Sequence, residues 1–164
     1  MVTGPTTPFG SALMNHAQNP QFFDLLVGSY RRLTGAEPPF LPPGAPGDAG
    51  WLYAQAPSCV LAHNTDPDPR FIYANRAAQS LFEYSWDEFM TLPSRLSAEA
   101  PIREERQRLL DTVARDGFTS GYAGVRIAKS GRRFRIEDGV LWQLREPDGT
   151  LRGVAATFAR WQEI

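Results

Sequence analysis

Two polar side chains share strand faces with apolar residues, where they could perform acid–base chemistry. A strand predicted from Arg132 to Arg145 alternates between its two faces, and the face that carries Asp138 is otherwise apolar. His63 likewise shares a face with Cys59 and Leu61 on an earlier predicted strand. A carboxylate on an apolar face is unfavourable unless it is paired or hydrogen-bonded, so one hypothesis is that His63 and Asp138 form an acid–base pair.

Both residues also have a structural interpretation. Asp138 precedes Gly139, and a glycine inside a strand often marks a β-bulge, which would turn the aspartate outward and shift the register after it. His63 lies near the end of its strand, where it could simply be a structural histidine rather than a catalytic or ligand-binding one. The sequence leaves these alternatives open.

A second group of side chains could hold a small ligand. Arg126 shares a face with Tyr122, and it can either pair with Glu137 on the next strand or hold an acidic ligand through two parallel hydrogen bonds. Tyr73 and Trp142 combine an aromatic ring with a polar group, although such residues are more often core than cofactor stack. The candidate ligand-binding residues are Tyr73, Asn75, Tyr122, Arg126, Asp138 and Trp142.

Composition limits the classes of function. The chain has 164 residues, a net charge of -1 and 42% hydrophobic residues, which allow a folded core but offer no general attraction to nucleic acid or anionic membranes. One cysteine and two histidines do not have the spacing of a metal site, so no metal site is predicted. Without a secretory signal or an apolar run that could span a bilayer, and with a single cysteine, we expect a cytoplasmic protein that binds neither nucleic acid nor membranes.

The N-terminal part is predicted to form three segments before the main domain. Asn19-Pro20 and Gly35 are typical of a helix start and a helix end, and five prolines follow between residues 36 and 47. The helix carries an apolar stripe that could fold back over the sheet or build a homodimer with the same helix of a second chain, and we predict the homodimer. The predicted divisions are a disordered tail over 1–18, an amphipathic helix over 19–35, a proline-rich linker over 36–47 and the main domain over 48–164.

The main domain is predicted to be α+β. In chain order its elements are strands at 58–64 and 71–74, helices from 76, from 86 to 92 and from 101 to 116, and strands at 121–128, 132–145 and 151–161. Asn75 caps the first of these helices, and Ser85 with Glu88 forms a capping box for the second. The result is a five-stranded antiparallel sheet with helices inserted between strands 2 and 3, which enclose a small core or pocket.

This order of elements resembles a PAS domain over most of Trp51 to Trp161. The matching features are Asn75 at the end of the second strand, Ala77, Ala78, Phe82, the Ser85-x-x-Glu88 helix start and the hairpin from Lys129 to Arg132. Within that superfamily the chain is similar to the MEKHLA type, through residues 92–97, 103–106, 132–136 and Trp142. The resemblance implies a sensory or interaction fold, often dimeric, with a pocket between sheet and helices.

The resemblance also bears on cofactors. The flavin-adduct subclass of PAS domains carries a Gly-x-Asn-Cys-Arg-Phe motif that this chain lacks, and Cys59 lies instead on the first predicted strand. Haem-binding PAS domains generally use a histidine on the long pocket helix, and residues 101–116 contain none. The sequence therefore supports neither a haem nor a flavin adduct, and the ligand is unknown.

Three functions are compatible with these observations. The favoured hypothesis is a stand-alone PAS-like sensory or protein-interaction module that binds a small ligand between sheet and helices. The alternative is a small enzyme that uses His63 and Asp138 as an acid–base pair. The third is a dimerisation scaffold with a filled core. Exposure of either side chain to bulk solvent would rule out the enzyme, and a missing pocket would favour the scaffold.

Overall fold

An antiparallel sheet of six strands forms the centre of the protein in a computed structural model that describes residues 16–98 and 100–164. The strands are β1 (Cys59–His63), β2 (Phe71–Ala74), β3 (Phe118–Ile127), β4 (Arg133–Arg145), β5 (Leu151–Phe158) and β6 (Arg160–Glu163). Their order is β2-β1-β5-β4-β3, and β6 follows β5 along the first half of β4. The strand predicted over 151–161 is therefore divided into β5 and β6 by a single residue, Ala159. The predicted antiparallel α+β fold is confirmed.

Helices cover both faces of this sheet. They are α1 (Pro20–Thr34), α2 (Ala49–Ala54), α3 (Arg76–Phe82), α4 (Trp86–Met90) and α5 (Ala100–Asp116), with short 3-10 turns at His16–Gln18 and Ser94–Ser97. Helix α1 packs on β4, while α3, α4 and α5 pack on β1, β2 and β3 respectively. Within the described ranges, no helix combines the length and the apolar character needed to cross a bilayer.

The alternation of β1 separates two cores. Val60 and Ala62 belong to a core with the apolar residues of α1 and α2, and Cys59 and Leu61 belong to a core with those of α3 and α4. Successive side chains of a strand point to opposite faces, so the two cores lie on opposite sides of the sheet. The fully buried β1 therefore forms the wall between them.

The apolar stripe of α1 folds back onto its own sheet. Phe22 and Leu26 are completely buried, and the Trp142 indole donates a hydrogen bond from Nε1 to the Leu26 carbonyl at 3.1 Å. Ser29 is bonded to the Arg145 backbone in both directions, since its Oγ donates to the carbonyl and accepts from the amide, each at 2.9 Å. Because the stripe is used within the chain, a homodimer through α1 would have to use the outer side of this helix or exchange it between chains.

The segments on either side of α1 differ from the prediction. Residues 1–15 of the predicted tail lie outside the described residues, but His16–Gln18 form a 3-10 turn in which the His16 ring stacks on Phe22 with centroids 4.5 Å apart. The proline-rich segment also contributes to the core, because Phe40 is buried and stacks on Trp142 at 5.9 Å. Aromatic packing, which residue-type patterns do not reveal, thus orders residues that were predicted to be tail and linker.

Charged side chains fasten α3 and α4 to the β3–β4 hairpin. Glu83 follows α3 in a left-handed conformation with φ 66° and accepts hydrogen bonds from the Ser130 amide and the Arg132 guanidinium. These hydrogen bonds lower the pKa of the Glu83 carboxyl. Lys129 forms a second ion pair with Glu88 of α4. The helices that lie over the sheet are therefore fixed relative to the hairpin.

We predict that Phe22→Ala destabilises the protein much more than Phe23→Ala. Phe22 of α1 is fully buried, so its truncation leaves a cavity and lowers the free energy of unfolding by about 3–5 kcal/mol. Phe23 is only partly buried and serves as the matched control on the same helix. Urea denaturation followed by circular dichroism measures both losses, and equal losses would contradict the docking of α1 through Phe22.

Candidate functional site

A cavity lies between the sheet and the helices on the α3 side. Its volume is about 60 Å³, several times the roughly 10–15 Å³ that one water molecule needs. Apolar residues of the sheet and helices form most of its wall: Leu61, Phe71, Phe82, Leu110, Leu141 and Phe158. Polar residues also line it: His63, Ser97, Tyr122 and Arg126. A concave apolar site with a few polar groups is the usual composition of a small-ligand site.

His63 reaches the cavity from the end of β1. Only 9% of His63 is exposed, and its Nδ1 lies 2.8 Å from the Asn64 carbonyl oxygen. A carbonyl oxygen can only accept a hydrogen bond, so Nδ1 carries the proton in this contact. In the neutral ring the buried Nε2 is then the acceptor. The His63 side chain is thus directed into the protein, as its position on the face of Cys59 and Leu61 suggested.

Tyr122 lies across two glycines of the β3–β4 pair. A Cβ atom added at Gly124 would lie 2.9 Å from the tyrosine hydroxyl oxygen, and one added at Gly139 would lie 2.8 Å from Cδ2 of the ring. Both distances are shorter than real Cβ contacts, so a side chain at either position would clash with the ring. The two glycines therefore leave the space that the Tyr122 ring occupies. The Tyr122 hydroxyl is buried and has no hydrogen-bond partner among the residues that the structure describes.

Arg126 follows Tyr122 on the same face of β3. Only 7% of Arg126 is exposed, its Nη1 donates to the Val125 carbonyl at 2.8 Å, and its guanidinium carbon lies 5.3 Å from the centre of the Tyr122 ring. The cation is thus held partly by the face of the ring. The β3–β4 register sets Phe134, and not Glu137, directly opposite Arg126.

Asp138 is not a cavity residue, and its prediction as a catalytic or ligand-binding group is wrong. The pairs Tyr122 with Gly139 and Gly124 with Ile136 leave one residue between them on β3 but two on β4, which is a β-bulge. Asp138 sits in that bulge with φ 52°, two-thirds exposed, and pairs with Arg160. His63 and Asp138 therefore do not form an acid–base pair.

The bulge also changes which residues of β4 face the cavity. Before it, Phe134 and Ile136 belong to the core on the cavity side, whereas after it Trp142 and Leu144 belong to the core beneath α1. Leu141 lines the cavity instead, and alternation counted from Arg132 missed it. The glycine at position 139 was the one signal in the sequence that could have indicated this change of face.

Trp142 and Tyr73 lie on the sheet face opposite the cavity, so the structure does not support them as ligand-binding residues. Trp142 stacks on Phe40 and donates to α1, as described above. Tyr73 stacks on Phe22 with centroids 5.2 Å apart, and burial strongly raises the pKa of its hydroxyl. Tyr73 and Trp142 are therefore core residues.

Asn75 is a structural centre rather than a ligand-binding residue. Its Oδ1 accepts from the Val60 and Ala78 amides at 3.1 and 3.2 Å, and its Nδ2 donates to the Leu52 and Ser58 carbonyls at 3.2 and 2.8 Å. A side-chain amide has two donor hydrogens and an oxygen with two lone pairs, so these bonds use its whole capacity. No hydrogen bond is left for a ligand.

The fold is that of a PAS domain. The PAS domain of a protein from Colwellia psychrerythraea is similar with a TM-score of 0.57, over 68% of this chain and 90% of that chain at 13% identity. A light-oxygen-voltage domain studied with a flavin analogue has a TM-score of 0.53, over 65% of this chain and 77% of that one at 15% identity. The blue-light photoreceptor Aureochrome1 domain in its dark structure gives 0.52, over 62% and 74% at 17% identity.

The chain belongs to the MEKHLA domain family, whose sequence pattern matches residues 20–163. This confirms the resemblance found in the sequence. The match begins at the first residue of α1, so the family's common unit includes this helix as well as the sheet. No curated protein sequence matches the chain.

The residues present do not fit a flavin adduct or a haem. Sites for ligands of that size commonly have volumes of roughly 300–1,000 Å³, whereas this cavity has about 60 Å³. Cys59 is fully buried on β1 and is not among the residues that line the cavity. The sequence of α5 contains no histidine. Groups of three or more metal-ligating side chains are also missing from the described part of the chain.

We predict that Asn75→Ala lowers the free energy of unfolding by about 3–5 kcal/mol, because it leaves several buried backbone groups without partners. Asn19→Ala is the matched control: Asn19 also caps a helix, but its side chain bonds only exposed or partly buried amides, and the expected loss is about 1 kcal/mol. Chemical denaturation gives both values. Similar losses for the two variants would refute the central role of Asn75.

Proposed function

We propose that this protein is a sensory module that binds a small ligand in the cavity between the sheet and the helices. The observation that carries the proposal is the composition of the cavity wall, where buried polar groups of His63, Tyr122 and Arg126 meet an apolar surface. The buried Tyr122 hydroxyl has no hydrogen-bond partner among the described residues, which is unfavourable in a purely structural core, and a ligand that bonds to it would offset that loss. The PAS-like fold supports the same function.

A ligand in the cavity has a short route to α1. Leu141 lines the cavity, and the next residue, Trp142, donates its indole hydrogen bond to the Leu26 carbonyl of α1. Ser29 of α1 is bonded to the backbone of the same strand, at Arg145. A ligand that displaces β4 would therefore change the contacts of α1. We propose that α1 transmits the occupancy of the cavity to a partner.

The proposal includes a cytoplasmic location and a homodimer. A single buried cysteine supports a reducing compartment. The outer side of α1 includes the exposed residues Gln21, Asp24, Arg31 and Arg32, so a second copy would meet a polar helix surface there. Such a surface favours an association that can be reversed when the contacts of α1 change.

A cavity-filling variant tests ligand binding. Purified protein is examined by native mass spectrometry for a retained small molecule, and a library of small organic fragments is titrated against it with amide chemical shifts as the readout. Fragments that bind are expected to shift the signals of Leu61, Ile136 and Ala156. Ala156→Leu places a larger side chain in the cavity wall and should weaken this binding at least tenfold.

Ala123→Leu is the control for that variant, because it introduces the same side chain at an exposed position of β3. It should leave fragment binding unchanged, and circular dichroism checks that both variants fold. The proposal is wrong if no molecule is retained and no fragment shifts the cavity signals. It is equally wrong if the two variants bind alike.

A further inference from the structure

We propose that the outer edge of β6 binds an extended segment of another protein, which adds a further strand to the sheet. The segment carries apolar side chains on one face and acidic side chains on the other. Three features of β6 support this: backbone groups that point away from the sheet, a partly exposed tryptophan beside them, and an arginine on the opposite face. The residues that line the cavity include none of β6, so this surface does not depend on the proposed ligand binding.

Every second residue of β6 points its backbone groups away from β4. The Ile164 amide donates to the Arg133 carbonyl at 3.3 Å, and along an antiparallel pair the hydrogen-bonded residues alternate with those that are not bonded. The amides and carbonyls of Trp161 and Glu163 therefore point outward. Within residues 16–98 and 100–164 these outward groups have no hydrogen-bond partner.

The neighbouring strand leaves this edge open. β1 begins at Cys59, which lies opposite Phe158 of β5, so β1 does not continue beside β6. All residues of β6 are exposed. Trp161 is 37% exposed, and its ring meets the Phe158 ring edge-on with centroids 6.2 Å apart. An added strand thus finds outward backbone groups and an apolar side chain at the same place.

The edges formed by β2 and β3 are protected against such an addition. At β2 the Phe71 amide donates to the Leu92 carbonyl, so the chain after α4 covers the strand. β3 is bent by a bulge that contains Gly121 at φ 68°, and its Val125 carbonyl accepts from the Arg126 guanidinium. Covering segments and bulges are usual means of keeping an edge strand from pairing with other chains. In the described part of the chain β6 has neither, as expected for an edge that binds a partner.

The side chains of β6 and β4 determine the chemistry of the added strand. Trp161 lies opposite Ile136, on the face of the cavity-side core, and favours an apolar side chain beside it. On the other face Gln162 lies opposite Arg135, which is exposed and has no carboxylate partner among the described residues. The added strand is two strand spacings of about 4.8 Å from β4, which arginine and glutamate side chains together can span. An acidic residue beside Gln162 is therefore favoured.

Acidic groups of this chain offset the charge of the neighbouring arginine instead. Glu137 lies opposite Arg160, and Asp138 forms an ion pair with the same arginine. The excess positive charge of this face is therefore at Arg135, near the middle of β6.

A second copy of β6 fits this edge less well. Outward backbone groups must pair with outward groups, so a two-fold arrangement that uses all of them sets Trp161 of one copy opposite Glu163 of the other. The same face then continues from one copy to the next, with both Arg135 side chains on it. An apolar ring opposite a carboxylate and two like charges on one face are unfavourable. The occupant is therefore a segment of another protein.

Two synthetic peptides test the proposal with the full chain. One repeats valine and glutamate in alternation, the other repeats valine and lysine, and both are blocked at their ends. The valine–glutamate peptide is expected to shift the amide signals of Trp161 and Glu163, to slow their hydrogen exchange, and to bind about tenfold more tightly than the lysine peptide. Equal binding of the two peptides would overturn the choice of an acidic segment. If neither peptide affects these amides, the whole proposal is wrong.

A proline variant tests whether the peptide pairs with the backbone. Glu163→Pro removes an outward amide hydrogen, and a proline is tolerated on an edge strand where its nitrogen faces solvent. Glu163→Ala is the matched control, because it loses the same ion pair with Arg132 but keeps the amide. The proline variant should bind the valine–glutamate peptide about fivefold more weakly than the alanine variant. Equal affinities would contradict strand addition.

Charge reversal keeps the proposal testable if the proline variant loses β6. Arg135→Glu should reverse the preference between the two peptides, whereas Arg76→Glu, at an exposed position of α3, should leave it unchanged. An unchanged preference for Arg135→Glu would contradict the proposal. Sedimentation of the protein alone tests the remaining occupant: a dimer in which the Trp161 and Glu163 amides exchange slowly would show that a second copy covers the edge, and would overturn the choice of another protein.

Discussion

The buried side chain of Asn75 is the constraint on which the rest of the architecture depends. Its four hydrogen bonds connect the Leu52 carbonyl of α2, the Ser58 carbonyl before β1, the Val60 amide of β1 and the Ala78 amide of α3. These segments lie on both sides of the sheet, and a single amide group fixes their relative positions. No other residue type has two donor hydrogens and an acceptor oxygen on so short a side chain. The position of α3, and with it the wall of the cavity, follows from this arrangement.

The two faces of the sheet have different consequences for function. The face beneath α1 is filled by stacked aromatic rings, in which Phe40, Trp142 and Tyr30 contact one another. The opposite face keeps an open volume beside Tyr122 and Arg126. Dense aromatic packing resists deformation, whereas a cavity can admit another molecule. One side of the sheet is thus suited to holding α1, and the other to binding a ligand.

The sequence predicted what local chemistry determines. The helix caps at Asn19, Asn75 and Ser85 are all present, because a cap needs only a few adjacent residues. The site was predicted less well, since its composition depends on contacts between distant segments. Alternation along β4 placed Asp138 and Trp142 on the cavity side, but the pairing with β3 inserts a bulge between them and Ile136. Of the candidate site residues, His63, Tyr122 and Arg126 do line the cavity, and Arg126 shares a face with Tyr122 as the alternation along β3 predicted.

The bulge at Asp138 has a consequence for the length of β4 in this chain. The two halves of β4 are out of phase, because Ile136 before the bulge and Leu141 after it point to the same side of the sheet although their numbers differ in parity. Removing one residue between them would restore a regular strand, and it would move Trp142 into the cavity and Leu141 beneath α1. The number of residues in this strand is therefore as much a requirement of the fold as their identity. An insertion or deletion in the middle of β4 would exchange the residues that face the cavity with those that face α1.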